Sequence, residues 1–519
     1  MTTRMSRRGF LETGVIALSA PSVLAACGSA APRIAAAPTG EAASPLSPFA
    51  DVFGIDEAMV RGALSELTAR GADQAELFFQ SSRSTSIDYE DGIISRASGS
   101  VDLGVGLRCV VGEQTGYAYT EELTRESMIA AARTAAAIAH GAAVAPPQRI
   151  QHDALPRSRY AIEVPWRDVG VDRKLPLIQR AAELARAADP SIVKVEISWA
   201  DAESRVLICD MHGQLVFDER PMTRMYVTVT AERNGERQTN RANIAGRRGL
   251  DFYTEEALAG VVQQAVDRTL ILFEARRPPA GEMPVVLAAG ASGILLHEAI
   301  GHGMEADFNR KQISIYADMI GRQVAEPFVT IVDDGTLEHE RGALNVDDEG
   351  RPAGRTVLVD RGRLVSYMHD GISSRHYRVG ATGSGRRQSF RFPPMPRMRC
   401  TYMEAGPHTP EEIIAAVPRG IVAETFTNGQ VQIGAGDYTF YIKNGWLIED
   451  GRRTAPIKDV NIIGTGPETL RQISMVANDA QLDTGGWTCG KRGQSVPVSI
   501  GIPTVLVSRM TVGGENHAS

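Results

Sequence analysis

Two histidines and a glutamate lie within six residues of one another, in the order His-Glu-Ala-Ile-Gly-His from His297 to His302. Neutral imidazole binds Zn²⁺ well, and a glutamate beside the metal, here Glu298, can take a proton from a bound water molecule. Two histidines on a buried helix can also be ordinary core residues, but a carboxylate inside an apolar helix costs free energy unless it is paired or functional. These residue types therefore predict the zinc-binding and catalytic helix of a metallopeptidase.

The spacing of the two histidines makes a structural demand. Metallopeptidase helices of the familiar kind have histidines four residues apart, which at about 100° per residue leaves the side chains ~40° apart. His297 and His302 are five residues apart, so on a regular α-helix they would point ~140° apart and could not share one ion. Gly301 and Gly303 flank His302 and relax the backbone, and a π-bulge would absorb the extra residue. We therefore predict an irregular helix near residues 299–302.

A catalytic zinc ion usually takes three protein ligands and a water molecule, so two histidines are too few. Cys489 stands out among the downstream candidates, because it lies in the Gly-rich segment 483–491 and Lys491 would favour its thiolate. An inert buried cysteine is the usual alternative, and spacing along the chain does not decide between the two. The candidates for a third ligand are Asp333, Asp334, Asp347, Asp348, Glu349, His369, His376 and Cys489.

Two further segments have interpretations that stay open. Glu305 and Asp307 follow His302 closely, and they either orient the imidazoles as hydrogen-bond acceptors or form a solvated helix end. The Gly- and Arg-rich segment 382–387 is either a loop that contacts a peptide or a surface turn.

The elements that must position these residues fall into two regions. Before residue 277, helical periodicity alternates with β-rich runs, with a hairpin turn at Asp91 and Gly92 and an N-cap at Thr254. Residues 276–281 interrupt this pattern, and the later chain has many short β-like runs between turns. The sequence therefore predicts an α+β fold with two domains. Residues 51–277 form an N-terminal α+β domain with an antiparallel sheet and helices, and residues 278–519 form a β-rich catalytic domain that carries the irregular helix.

Composition limits the class of protein. The chain has 519 residues and a net charge of −7, with 43% hydrophobic and 23% charged residues, which is ordinary for a globular protein of two domains. The acidic balance argues against a nucleic-acid partner, because neutralising phosphates needs a basic face. Five cysteines, at 27, 109, 209, 400 and 489, are too few and too scattered for a disulfide scaffold.

Residues 1–27 are typical of an export signal. Arg7 and Arg8 precede a mildly apolar stretch that is too short for a membrane span, and paired arginines indicate the twin-arginine route. The stretch ends in Leu-Ala-Ala-Cys27, which resembles a lipobox, so Cys27 would be lipidated; a plain signal peptide or a chance cysteine is the alternative. Residues 28–50 are predicted to be a flexible tether. We therefore expect a membrane-anchored lipoprotein on the periplasmic or extracytoplasmic face.

Several motifs of the C-terminal half, in order along more than 200 residues, resemble the TldD/PmbA family of zinc metallopeptidases, here in an exported lipoprotein form. The N-terminal domain is more weakly similar to the family, through residues 104–108 and 116–120, and the resemblance covers residues 52–515. The motifs are HEAIGHGMEADF at 297–308, VDDGT at 332–336, DDEG at 347–350, TGSGRR at 382–387, MPRM at 395–398, QISMVAN at 472–478 and CGKRGQSVP at 489–497.

The resemblance implies a ligand set and an assembly. It implies one Zn²⁺ per subunit, held by His297, His302 and Cys489, with Glu298 as general base. It also implies a dimer around an internal cavity, either a homodimer or a heterodimer with a PmbA-type subunit that lacks the metal motif, and a substrate that is an unfolded or small peptide. Typical members are soluble and cytoplasmic, so the export signal is where this sequence departs from the family.

The function expected from the sequence is hydrolysis of peptide bonds by a zinc-activated water molecule, with Glu298 as general base. The alternative is a non-catalytic scaffold or binding subunit of a surface peptidase complex. The intact set of His297, Glu298, His302 and Cys489 argues against that alternative. A metal hydrolase that acts on something other than peptides would use the same zinc chemistry.

Overall fold

The computed structural model describes residues 44–514, except for 140, 142–145, 156 and 433. The predicted signal segment, its Cys27 and most of the predicted tether lie outside the described residues. None of the described helices is long and apolar enough to cross a membrane.

The N-terminal region is built around one seven-stranded sheet with helices packed against it. Its strands are β1 (Gln74–Glu90), β2 (Ile93–Val111), β3 (Gln114–Thr120), β4 (Gln151–His152), β5 (Ile192–Asp210), β6 (Gln214–Arg233) and β7 (Glu236–Gly246). Its helices are α1 (Ala50–Phe53), α2 (Glu57–Thr68), α3 (Arg125–Ile138), α4 (Val171–Ala188) and α5 (Glu255–Leu270). The strand order is β3-β2-β1-β5-β6-β4, with β7 also paired to β6, and only β4 pairs in parallel.

Local sequence explains most of this region. Buried and partly exposed residues alternate along β6 from Pro221 to Ala231, which is the period-two pattern of a strand with one face on a core. The predicted hairpin turn joins β1 to β2, where Asp91 and Gly92 both have positive φ, of 46° and 95°. The predicted N-cap is confirmed at the start of α5, since the Thr254 hydroxyl accepts a hydrogen bond from Ala257 N at 3.1 Å.

The C-terminal region has shorter strands in two larger sheets and two small hairpins. Its strands are β8 (Gly281–Leu287), β9 (Ile331–Asp334), β10 (Arg355–Asp360), β11 (Arg363–Leu364), β12 (Gly385–Arg386), β13 (Met395–Pro396), β14 (Cys400–Met403), β15 (Arg419–Gln432), β16 (Asp437–Glu449), β17 (Arg452–Ile457), β18 (Val460–Thr465), β19 (Ile473–Val476), β20 (Gln481–Leu482), β21 (Thr488–Lys491), β22 (Gln494–Pro497), β23 (Ser499–Ile502) and β24 (Val505–Gly513). Its helices are α6 (Ile294–Leu296), α7 (Ala306–Arg310), α8 (Gly371–Tyr377), α9 (Pro410–Ala415) and α10 (Gly466–Gln472).

The two larger sheets together hold the histidine segment. One has the order β15-β8-β24-β18-β16-β17, with β19 beside β24, and the other has the order β11-β10-β9-β14-β23-β20. Ile294, Leu296 and Ile300 are at most 2% exposed and share one apolar core with Leu287 of β8 and Ile500 of β23. Because both sheets contribute to this core, the segment that carries the histidines is packed from several sides.

The architecture confirms the predicted α+β fold, with an antiparallel sheet in the N-terminal region and a β-rich C-terminal region. The prediction of a flexible tether over residues 28–50 is wrong for its C-terminal end. Leu46 and Phe49 are only 1% and 6% exposed, and Phe49 stacks on Phe217 of β6. The chain is therefore already packed there, because these apolar side chains gain free energy by leaving water.

Candidate metal centre

The helix that carries the two histidines is irregular where their spacing demands it. After α6 the turn His297–Gly301 is a π-helix, and His302–Met304 continues as a 3₁₀ turn. The wider π turn takes up the extra residue. As a result the rings of His297 and His302 lie with their centroids 5.0 Å apart. The predicted irregularity is confirmed.

The glycines beside His302 serve close packing. Gly301 has ordinary helical torsions, φ −58° and ψ −49°, so its backbone needs no special freedom. A Cβ at Gly301 would lie 2.0 Å from Met398 Sδ, and a Cβ at Gly303 would lie 2.6 Å from the ring of Tyr316. The expectation that these glycines relax the backbone is therefore wrong, because what they provide is room for Met398 and Tyr316.

Cys489 is the third donor of the cluster. It lies on β21, which pairs with β22 so that Cys489 is opposite Val496. One donor atom each from His297, His302 and Cys489 lie within 4.8 Å of one another, and Cys489 Sγ is 3.3 Å from His302 Nε2. All three side chains are buried. These separations suit three ligands of one tetrahedral ion.

The surroundings of His297 test whether the three residues fit a metal ion. Both of its ring nitrogens are buried, and neither has a hydrogen-bond partner among the described residues. A buried polar group without a partner costs about 1–3 kcal/mol, and a metal ion bound to one nitrogen would remove part of that cost. Two imidazoles and a thiol also form a donor set that Zn²⁺ favours. The site therefore fits zinc.

The electrostatics of the cluster favour a thiolate at Cys489. Burial raises the pKa of its thiol, but the two neighbouring imidazoles outweigh burial and hold the pKa well below its usual value. Lys491 was the cause expected from the sequence, but its ammonium group instead pairs with Glu305 at 3.0 Å and with Asp307 at 2.6 Å. The thiolate is the form of cysteine that binds metal ions.

Glu305 holds His302 in one orientation. Its Oε2 lies 2.9 Å from His302 Nδ1, while the other ring nitrogen faces Cys489. Burial raises the pKa of Glu305, but Lys491 and His302 outweigh burial and lower the pKa to about 2. A carboxylate in this position fixes the ring and raises its basicity as a ligand. Of the two interpretations left open, orientation therefore applies to Glu305, whereas Asp307 accepts a hydrogen bond from Lys491.

Glu298 lies beside the donors and is the most accessible member of the group. Its Oε2 is 3.9 Å from His302 Nε2, and its side chain is 22% exposed. His297, the residue before it, is only 1% exposed. A carboxylate that is open to solvent next to the metal donors is able to accept a proton from water.

The other candidates for a third ligand have different partners. Asp333 accepts hydrogen bonds from Arg399, and Asp334 accepts them within its own turn. The carboxylates of residues 347–349 meet buried arginines or backbone amides. His369 packs against Tyr377, and His376 contacts Glu113 at 2.8 Å.

Arg397 has a role near the site that the sequence did not reveal. Its side chain is fully buried, and its Nη2 donates a hydrogen bond to Cys489 O at 2.6 Å. Its Nη1 donates to Gln494 O at 3.3 Å, so one guanidinium joins both strands of the hairpin that carries Cys489. The MPRM motif contains Arg397, and that motif was the only signal for it.

The segment 382–387 is not a surface turn. Ser384, Arg386 and Arg387 are only 0%, 3% and 4% exposed. Arg386 Nη2 donates to Pro497 O at 2.7 Å, which ties the segment to β22. The interpretation as a surface turn is therefore wrong, and the segment forms part of the wall beside the Cys489 hairpin.

This fold and this donor set define a class, that of α+β proteins with a buried His-His-Cys cluster on a π turn and a hairpin. Family models match three parts of the chain: PmbA/TldA metallopeptidase domain 1 at residues 75–139, the central domain at 164–273 and the C-terminal domain at 280–514. The chain belongs to this family of metalloproteases.

Relatives and solved structures agree with the family. The metalloprotease TldD homolog of Haemophilus influenzae is 42% identical over 458 residues, which cover 87% of this chain and 95% of the relative. The TldD homolog of Buchnera aphidicola from Acyrthosiphon pisum is 36% identical over 459 residues, with the same two coverages of 87% and 95%. The crystal structure of TldE from Thermococcus kodakarensis has the same fold, with a TM-score of 0.69 and 20% identity over 88% of this chain and 99% of that chain.

Proposed function

We propose that this chain is a zinc-dependent peptidase that hydrolyses peptide bonds of unfolded or small peptides. The observation that carries the proposal is the convergence of His297, His302 and Cys489 in one buried cluster. The imidazole nitrogens of His297 have no other partner in the described part of the chain. Membership of a metallopeptidase family supports the same conclusion.

Each side chain around the cluster has a distinct task in this proposal. Zinc held by the three donors would supply a Lewis acid for the scissile carbonyl group and would lower the pKa of a bound water molecule. Glu298 takes a proton from the attacking water and passes it to the leaving amine, because its carboxylate is close to the donors and partly open to solvent. Glu305 keeps the Nε2 atom of His302 turned toward Cys489.

Glu298→Gln separates metal binding from catalysis. We expect the purified variant to contain as much zinc as the wild type, because Glu298 is not one of the three donors. Cleavage of an unstructured peptide should slow by about 10²–10⁴-fold, the usual contribution of a general base. Metal analysis and chromatography of the peptide products measure the two effects.

Glu326→Gln is the matched control, since Glu326 is exposed and is not one of the three donors of the cluster. It should change neither zinc content nor cleavage. Undiminished cleavage by Glu298→Gln would refute the role of Glu298 as general base. Wild-type protein that is folded but never contains stoichiometric zinc would instead favour the non-catalytic scaffold or binding subunit.

We also propose that the subunit acts as a dimer, either with a second copy or with a PmbA-type subunit. Family membership is the support for this assembly. Purification of the complex from its native source, followed by mass measurement and identification of every subunit, decides between the two forms. A complex with the mass of one chain would contradict both.

We further propose that the chain is exported and anchored by a lipid on Cys27. The support is the twin arginine and the Leu-Ala-Ala-Cys27 segment. Cys27→Ala should move the protein from the membrane fraction to the soluble fraction without loss of cleavage, and replacing Arg7 and Arg8 by lysine should block export. Membrane association that survives Cys27→Ala would contradict the lipid anchor.

A further inference from the structure

A cavity of about 320 Å³ adjoins the hairpin that carries Cys489. Strands β1, β5 and β6 of the N-terminal sheet form one side of it, and Thr488, Val496 and Pro497 of the hairpin form the other. Thr488 directly precedes Cys489, and Val496 is opposite Cys489 across the hairpin. The cavity therefore begins one residue away from the third metal donor.

The wall of this cavity is strongly cationic. Asp348 is the one carboxylate among the described residues that line it. The arginines that line it are Arg220, Arg247, Arg341, Arg386 and Arg387.

Two of the five arginines have carboxylate partners. Arg220 Nη1 donates to Asp348 Oδ1 at 2.5 Å, and Arg387 Nη2 donates to Glu76 Oε1 at 2.7 Å. The other three make no ion pair with any residue that the structure describes, although each is at most 6% exposed. The wall therefore holds more buried positive charge than it neutralises.

Arg341 and Arg386 make hydrogen bonds, but to neutral groups. Arg341 Nη1 donates to the carbonyl of Trp487 at 2.6 Å, and Arg386 Nη2 donates to the carbonyl of Pro497 at 2.7 Å. Burial lowers the pKa of Arg341 to about 10 and that of Arg386 to about 9. These guanidinium groups are thus dehydrated without a carboxylate in direct contact, which is unfavourable until an anion joins them.

Arg247 is the least engaged of the three. Its one side-chain hydrogen bond with a described residue, to Pro221 O, is long at 3.5 Å, and its guanidinium lies 4.9 Å from the ring centre of Tyr160. Its Nε is buried without a partner among the described residues, as is Nε of Arg341. Nη2 of Arg247 makes no hydrogen bond with any described residue, so Arg247 has a donor left for a ligand in the cavity.

We propose that this arginine cavity binds a carboxylate group of the peptide substrate, either the C-terminal carboxylate or an acidic side chain. The inference rests on the proposed peptidase function and specifies its substrate class. A guanidinium matches a carboxylate with two parallel hydrogen bonds, and three guanidinium groups that have no contacting carboxylate supply the opposite charge.

The apolar part of the cavity wall favours an anion that belongs to an amino-acid residue over a free inorganic ion. Phe78, Leu344 and Val496 are apolar and line the same cavity, so they can contact the carbon part of an amino-acid residue. Because Thr488 and Val496 join this wall to the Cys489 hairpin, a carboxylate held here fixes the position of the peptide relative to the metal donors. The cavity thus selects peptides by the distance between a carboxylate and the bond to be cleaved.

The experiment measures peptide binding to the zinc-loaded Glu298→Gln protein by fluorescence anisotropy, so that cleavage does not interfere. One arm compares a labelled peptide that has a free C-terminus with its C-terminal amide. A second arm compares peptides with internal glutamate or glutamine, all as C-terminal amides. Loss of the recognised carboxylate should weaken binding by about tenfold or more, the effect of one charge-assisted hydrogen bond. The arm that shows the loss identifies the source of the carboxylate.

Arg247→Gln in the same background should remove most of that tenfold preference, and Arg247→Lys, which keeps the charge, should retain part of it. Arg173→Gln, on the exposed start of α4, is the matched control and should retain all of it. Equal binding of acid and neutral peptides in both arms overturns the proposal, and so does a preference that Arg247→Gln leaves unchanged. Failure of the peptidase function shows separately, as wild-type protein that binds these peptides without cleaving them.

Discussion

Two buried clusters of this protein differ in what their charged and polar side chains contact within the chain. In the ion-pair network between the two regions, Arg108 Nη2 donates to Glu76 at 2.8 Å and to Glu349 at 2.5 Å, and Arg387 donates to Glu76 at 2.7 Å. In the metal-donor cluster, both ring nitrogens of His297 are buried and have no partner among the described residues. The network neutralises its own charges, whereas the metal-donor cluster leaves His297 available to bind a ligand.

This difference shows how a buried cluster that holds the fold together can be told from one that binds a ligand. The network joins β1 and β2 of the N-terminal sheet to residues of the C-terminal region, and breaking such a pair leaves an uncompensated buried charge. It therefore holds the two regions together. In the metal-donor cluster the whole imidazole of His297 has no partner among the described residues, which costs stability and indicates binding, whereas the network leaves only part of the guanidinium groups of Arg108 and Arg387 without one.

The largest effect is expected from removing a donor of the metal cluster. Cys489→Ala should abolish stoichiometric zinc and reduce peptide cleavage to the level of the metal-free protein, because two imidazoles alone hold zinc weakly. Cys209→Ala is the matched control, since Cys209 is equally buried and lies on β5, outside the cluster. Elemental analysis of both purified variants measures the difference. Full zinc occupancy in Cys489→Ala would remove the cysteine from the ligand set.

Breaking the ion-pair network should lower the stability of the protein, not its metal content. Arg108→Met leaves Glu76 and Glu349 buried without their partner, so the free energy of unfolding should fall by about 3–5 kcal/mol. Denaturant-induced unfolding measures this loss. Arg133→Met, which breaks an exposed pair with Glu66, should change stability little. Equal stability of the two variants would contradict the assignment of the network to assembly.

A smaller effect is expected from Glu305, which shares a property with each cluster. It is charge-paired, as the network is, and it also contacts a metal donor. Glu305→Gln should weaken zinc binding by about 10–100-fold, as loss of a group that orients a ligand usually does. Competition with a zinc chelator of known affinity measures the change. An unaltered zinc affinity would mean that packing alone orients His302.

The smallest effect is a pH dependence of stability in the metal-free protein. Lys491 and His302 outweigh burial and lower the pKa of Glu305 from 4.5 to about 2, so folding favours the ionised carboxylate. The stability from this group is complete above pH 4.5 and is lost as the pH falls toward 2. Acid unfolding followed by circular dichroism should show a shallower loss in Glu305→Gln than in the wild type. Identical acid profiles would contradict an ionised, stabilising Glu305.

Much of the fold and half of the site could be predicted from local sequence. The turn at Asp91 and Gly92 and the N-cap at Thr254 depend on residues a few positions apart, and both are confirmed. The π turn at His297–Gly301 follows from the five-residue spacing alone, because side-chain direction on a helix is set by residue count. Local hydrogen bonding and helix geometry decide such features.

Only the tertiary structure decided which distant groups meet. Cys489 is 187 residues from His302, and the local sequence around the eight candidate ligands contained nothing that measured their distance to the histidines. Lys491 looked like the partner of Cys489 from its position in the chain, yet its ammonium group pairs with Glu305 and Asp307, because the fold places these two carboxylates within its reach. Long-range contacts depend on how sheets and core pack together, so spacing along the chain cannot determine them.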